Sequence, residues 1–186
     1  QWSVGAPLGM VRSNHGMTVV DGKLYVVGGY SGTVISSVEC FDPSTGQWSA
    51  VAAMSTARYG HGVAVVDGKL YVVGGQDNDE TSLSSVECFD PSTGQWSAVA
   101  AMSTARSSHG VAVVDGKLYA AGGKDATGTH LSSVECFDPS TGQWSAVAAM
   151  STARYSHGVA VADGKLYVVG GVDGTNTCLS SVECFD

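Results

Sequence analysis

Charge is scarce in this chain, and what there is leans one way. Only 14% of the 186 residues are charged, nine basic against seventeen acidic, for a net charge of -8. A surface this acidic has no general attraction for phosphate backbones or anionic lipids, so neither nucleic acid nor membrane is expected as a partner. Apolar runs are short, and none approaches the roughly 20 residues that span a bilayer. The opening residues, Gln1-Trp2-Ser3-Val4, do not read as a signal peptide, and Gln1 in place of methionine points to a trimmed chain. Helical caps and a 3.6-residue apolar period are absent. There is no C-x-x-C pair among the five cysteines, no G-x-S-x-G, no H-E-x-x-H and no acidic calcium loop. These absences argue against a zinc module, a serine hydrolase, a zinc protease and an EF-hand. No cofactor is expected, and the chain is expected not to be an enzyme.

Glycine, by contrast, is abundant at 25 residues, and it recurs on a fixed period. Trp2, Trp48, Trp96 and Trp144 are spaced 46, 48 and 48 apart. The doublets Gly28-Gly29, Gly74-Gly75, Gly122-Gly123 and Gly170-Gly171 keep the same spacing, as do His15, His61, His109 and His157. The 23-residue stretch from Ser36 to Arg58 recurs letter for letter at 84–106 and 132–154. One period reads as four short strands. His61 to Val66 is rich in β-branched residues, and Asp67-Gly68 is the strongest short hairpin signal. Lys69 to Val73 follows and stops at the Gly doublet. Ser85 to Phe89, a Pro/Gly turn at 90–94, and Gln95 to Met102 complete the unit. Four strands per 40 to 50 residues is the pattern of a propeller blade.

The order R-x-x-H-G-V, D-G-K-L-Y-x-x-G-G, S-S-V-E-C-F-D-P and Q-W-S-A-V resembles the kelch repeat, four times over. The resemblance implies an all-β, kelch-type β-propeller, with four blades of four antiparallel strands in a single domain, residues 1–186. The repeats run at about 5–48, 49–96, 97–144 and 145–186, the last completed by residues 1–4. In this Velcro closure the N-terminal strand joins the blade begun at the C-terminus. Four is an unusual count for this family, since a ring of four needs wedges of about 90°. Two assemblies therefore stay open: a monomeric ring, or a strand-exchanged homodimer with eight blades.

Near-perfect repetition points to recent amplification of one blade or to engineering, and a propeller with no native ligand is one reading of it. A ring of the four periodic histidines as a metal site is another, although each His begins an innermost strand and is more simply a buried structural residue. Glu39, Glu87, Glu135 and Glu183 are expected to pair with Arg12, Arg58, Arg106 and Arg154. The four periodic cysteines are expected to be small, reduced core residues, which suits a cytoplasmic chain. Repeated Trp, Tyr and Phe are expected in the core.

Differences between repeats gather in the fourth-to-first and second-to-third connections, which share one end of an antiparallel blade. The resemblance implies that this loop face binds a peptide or protein ligand, making the chain a non-enzymatic interaction scaffold. The candidate contact residues are Ser13, Asn14, Tyr30, Tyr59, Gln76, Asp77, Asn78, Ser107, Ser108, Lys124, Asp125, Tyr155, Ser156 and Asp173.

Overall fold

A computed structural model describes all residues, 1–186. Fifteen strands fall into four antiparallel sheets, each with its strands in chain order. The first blade is β1 (Gly16–Val20), β2 (Lys23–Val27), β3 (Val38–Asp42) and β4 (Gln47–Val51). The second is β5 (Gly62–Val66), β6 (Lys69–Val73), β7 (Val86–Asp90) and β8 (Gln95–Val99). The third is β9 (Gly110–Val114), β10 (Lys117–Ala121), β11 (Val134–Asp138) and β12 (Gln143–Val147). The fourth has only β13 (Gly158–Ala162), β14 (Lys165–Val169) and β15 (Val182–Phe185). The expected four-blade kelch-type arrangement is what the chain adopts.

The local chemistry sets these elements. Asp67 and Gly68 both have positive φ, 50° and 71°, as a tight two-residue hairpin with the native strand twist requires. Alternation along each inner strand sends Val63 and Val65 toward the preceding blade and Ala64 and Val66 toward the next. Aromatic rings do the same work further out. Tyr25 of blade 1 meets Phe89 of blade 2 at 5.9 Å, and Phe89 stacks at 5.1 Å on Trp96 of its own blade. Each blade thus buries a small inner strand and bulky outer strands against its neighbour, which gives it the wedge shape of a propeller blade. The fourth strands end at Val99 and its equivalents, short of the Met102 expected, because Ala100 turns its carbonyl to the indole N–H of Trp144, 2.8 Å away.

The Velcro closure is not made within the chain. Residues 1–4 form no strand, Trp2 is fully exposed, and the fourth sheet lacks its outer strand. Inner strands β1, β5, β9 and β13 pack in succession, but β1 and β13 are not packed together. With blades 1 and 4 not packed on each other, the four blades form an open arc. The two end faces stay uncovered, with Met17 and Val19 exposed on blade 1 and Val169 and Val182 on blade 4. Exposure also corrects the cysteine expectation. Cys40, Cys88 and Cys136 are buried free thiols, whereas Cys184 on the open end is exposed.

Candidate functional site on the loop face

The two variable loop sets meet at one end of every blade, as isolated backbone pairs. Ser13 pairs with Tyr30, Tyr59 with Gln76, Ser107 with Lys124 and Tyr155 with Val172. Two features anchor this face to the scaffold. One is a buried ion pair in each blade. The Arg58 guanidinium donates at 2.8 Å to Glu87 and at 2.7 Å to the Gly74 carbonyl, and its side chain is fully buried. Arg12, Arg106 and Arg154 repeat the pairing with Glu39, Glu135 and Glu183. The other oxygen of Glu87 accepts from the Ser55 N–H at 2.7 Å, which ties the interblade linker down. Burial by itself would raise the Glu87 carboxyl, but the Ser55 hydrogen bonds and the Arg58 charge outweigh it and hold it below its ordinary value.

The second feature is a line of backbone hydrogen bonds that steps from blade to blade. Gly60 N–H donates to the Asn14 carbonyl at 3.0 Å, Ser108 to Gly60 at 2.8 Å, and Ser156 to Ser108 at 2.8 Å. All four of these residues have positive φ. They mark the inner rim of the face, and nothing in their mixed identities (Asn, Gly, Ser, Ser) announced that shared role.

Between blades 1 and 2 the face opens into a cavity of about 460 Å³. Asn14, Tyr30, Tyr59, Asp77 and Asn78, all candidates from the sequence, line it together with Gly32, Thr33, Val34 and Glu80. Tyr30 and Tyr59 meet edge to face at 6.4 Å. Asn78 crosses from blade 2 to accept from the Val34 N–H and the Thr33 hydroxyl, both at 3.0 Å, and so braces one wall. Partial burial, then Glu80 and Asp77, push the Tyr59 hydroxyl above its usual pKa. The pocket therefore pairs aromatic walls with carboxylates, and suits a cationic or amphipathic side chain.

Other candidates do different work. Ser107 is buried, and its hydroxyl lies 3.0 Å from that of Ser82, so it cannot meet a partner. The Asp125 carboxylate accepts from Thr127 and Thr129 N–H groups at 2.8 and 2.9 Å, and Asp173 does likewise with Thr175 and Thr177. Asp77 accepts in the same way from the Asp79 and Thr81 N–H groups, both at 3.0 Å, so all three carboxylates shape their own loops, and Asp77 also lines the cavity. Gln76 donates to the Glu80 carbonyl at 2.9 Å. Lys124 lies 3.7 Å over the Tyr155 ring, and His130 packs on the same ring at 4.7 Å. The loop face thus has an acidic, aromatic pocket at one end and a cation stacked on tyrosine at the other. Gly32, Thr33 and Val34 were not among the candidates, because a wall shared by two blades is invisible within either loop, and the signal for Glu80 was the acidity of the 76–83 loop it shares with Asp77 and Asn78.

The periodic histidines do not converge on an axis. His61 lies between blades, against the Gly doublet of blade 1, where a Cβ at Gly28 would fall 3.0 Å from its ring. His61 and His109 are buried, and no group of three or more His, Cys, Asp or Glu is placed to hold a metal ion. Burial, with the nearby Arg58 charge second, pushes His61 down to about 3. The rings of His61, His109 and His157 instead sit against the Gly doublets of the preceding blades, which leaves the metal-binding reading without support from this geometry.

Residues 14–186 match the family model described as the KLHDC2/KLHL20/DRC7 Kelch-repeats domain. The chain belongs to the kelch-repeat family. Among solved structures, YjhT superposes with a TM-score of 0.81 at 18% identity, covering 99% of this chain and 68% of its own, a likeness of fold alone. A comparison with curated proteins gave no match. The kelch propeller is in general a platform for protein and peptide interaction, and its members are typically non-catalytic. No helix of this kelch chain is long and apolar enough to cross a membrane.

Proposed function

We propose that this chain is a non-enzymatic scaffold that binds a peptide or protein partner on its loop face. The partner presents a basic side chain to the cavity between blades 1 and 2. The observation that carries this reading is that one pocket combines the Tyr30–Tyr59 pair with Asp77 and Glu80. Aromatic edges and faces cover the stem of a lysine or arginine while the carboxylates meet its charge. The net charge of -8 favours the same partner at long range. A cytoplasmic setting is part of the proposal, supported by five cysteines that are all free thiols.

The test is a fluorescence-anisotropy screen of short peptides, with basic sequences set against acidic ones of equal length. Basic peptides should bind saturably and weaken as salt rises. Tyr59→Ala and Glu80→Gln should each reduce that affinity about tenfold. Binding that ignores both substitutions, or that prefers acidic peptides, would sink the reading.

A further inference from the structure

Nine residues other than glycine have a positive φ, and eight of them are Asn, Asp or Ser. Short polar side chains tolerate that left-handed backbone, because they can hydrogen-bond locally. Glu80, at φ 57°, is the ninth. In each blade the second-to-third connection turns at one position, two residues before the one that closes its isolated bridge at Val34, Ser82, His130 or Cys178. That position is Gly32, Glu80, Gly128 or Asn176, and φ is positive in all four. The turn asks for glycine or asparagine, and three blades supply one. Blade 2 puts a long acidic side chain there. It also supplies a brace: the Gln76 side-chain amide donates to the Glu80 carbonyl at 2.9 Å. Tyr30, Lys124 and Val172, which take the place of Gln76 in the other blades, have no amide to give.

Nothing in the fold uses the Glu80 carboxylate. The hydrogen bonds that Glu80 makes run from its N–H to the Asp77 carbonyl and to its own carbonyl from Gln76, and its side chain joins no ion pair. Asp77, the other carboxylate on the cavity wall, differs. Its Oδ1 is spent on the N–H groups of its own loop, a role that Asp125 and Asp173 repeat in blades 3 and 4. Glu80 alone has both oxygens free, on a wall it shares with Tyr30 and Tyr59. A side chain that costs backbone strain, is braced by a neighbour and does nothing for the fold marks a position kept for binding.

The geometry points to Glu80 as the residue that sets the specificity of this pocket, and to an arginine side chain as its ligand. This rests on the reading that the loop face binds a basic peptide, and adds which cation and which carboxylate. A guanidinium is planar. Its paired N–H donors match the two oxygens of one carboxylate, while its face lies on an aromatic ring. One free carboxylate beside two tyrosines offers that set. A lysine ammonium is a compact, strongly hydrated point charge. It gains less from a single carboxylate, because its remaining N–H donors stay with water.

The experiment compares two labelled peptides, identical except for a single central arginine or lysine, by fluorescence anisotropy, alongside thermal unfolding. The unsubstituted chain should bind the arginine peptide about fivefold more tightly. Glu80→Gln removes the charge but keeps the long side chain in its strained backbone, so the two peptides should bind it equally. Glu80→Asn removes the charge and the strain together. It should also lose the preference, and its thermal midpoint should lie about 2 °C above that of Glu80→Gln. Equal binding of both peptides to the unsubstituted chain overturns the proposal, as does a preference that survives Glu80→Gln. A midpoint in Glu80→Asn no higher than in Glu80→Gln overturns it as well. Each of these leaves basic-peptide binding standing. No saturable binding of either peptide sinks the loop-face reading and this inference with it.

Discussion

Acid should loosen the blade interfaces before it touches the ion pairs. His61 is buried, and burial together with Arg58 pushes its pKa down to about 3. His109 is lowered well below its ordinary value by the same causes, with Arg106 as the charge. Unfolded, each ring returns to about 6.5. A lowered folded pKa means the unfolded chain takes up the extra proton. The stabilisation is therefore complete above about pH 6.5 and is lost as pH falls from there toward the folded value. At pH 5 the unfolded-state proton uptake amounts to about 2 kcal/mol for His61, and about as much for His157, which burial and then the Arg154 charge push down to about 4. That is roughly 4 kcal/mol for these two, and His109 adds to it in the same direction. With a urea slope of about 2 kcal/mol/M, the midpoint should fall by about 2 M between pH 7 and pH 5. Glu87 and Glu135 are held below the ordinary carboxylate value, so their loss begins at lower pH and the window isolates the histidines. The assay is urea unfolding at fixed protein concentration at pH 7, 6 and 5, for the unsubstituted chain and for His61→Gln. The variant should be weaker at pH 7 but lose about 2 kcal/mol less on acidification, the share of His61. A midpoint that does not move between pH 7 and 5, or one that moves equally in His61→Gln, refutes the reasoning.

Other outcomes follow from the same contacts. Arg106→Ala should cost about 3–5 kcal/mol in chemical denaturation, because it leaves the Glu135 carboxylate buried without its cation. Lys117→Ala, which removes the exposed pairing with Asp138, should cost less than about 1 kcal/mol in the same measurement. Gly74→Ala should destabilise by about 1–3 kcal/mol on thermal or urea unfolding, since φ there is +60° and a Cβ would press on the Arg106 carbonyl. Trp96→Phe should keep most of the stacking on Phe89 but lose the bond to Ala52, lowering stability by about 1 kcal/mol and leaving the blade intact by circular dichroism.

The sequence by itself determined the blade. Asp-Gly hairpins, Gly doublets and the alternation of small and large apolar residues are local signals. They act within one hairpin or one strand, so four readable copies yielded four blades and the pairing of each Glu with its Arg. Five candidates from four connections, Asn14, Tyr30, Tyr59, Asp77 and Asn78, also came together in one pocket, because the scaffold puts both loop sets at the same end. Only the tertiary structure decided the rest. Ser107 looked like a loop residue, but its neighbour Ser82 belongs to another connection and buries it. Thr33 and Val34 of blade 1 joined the pocket wall through the bridge that Asn78 of blade 2 makes to them. Closure depended on how successive blades pack, the sum of many side-chain contacts along three interfaces, which no single letter of the repeat encodes. Blades 1 and 4 do not meet, so the Gln-Trp-Ser that pairs as a half-exposed outer strand in each of the first three blades is unpaired at residues 1–3.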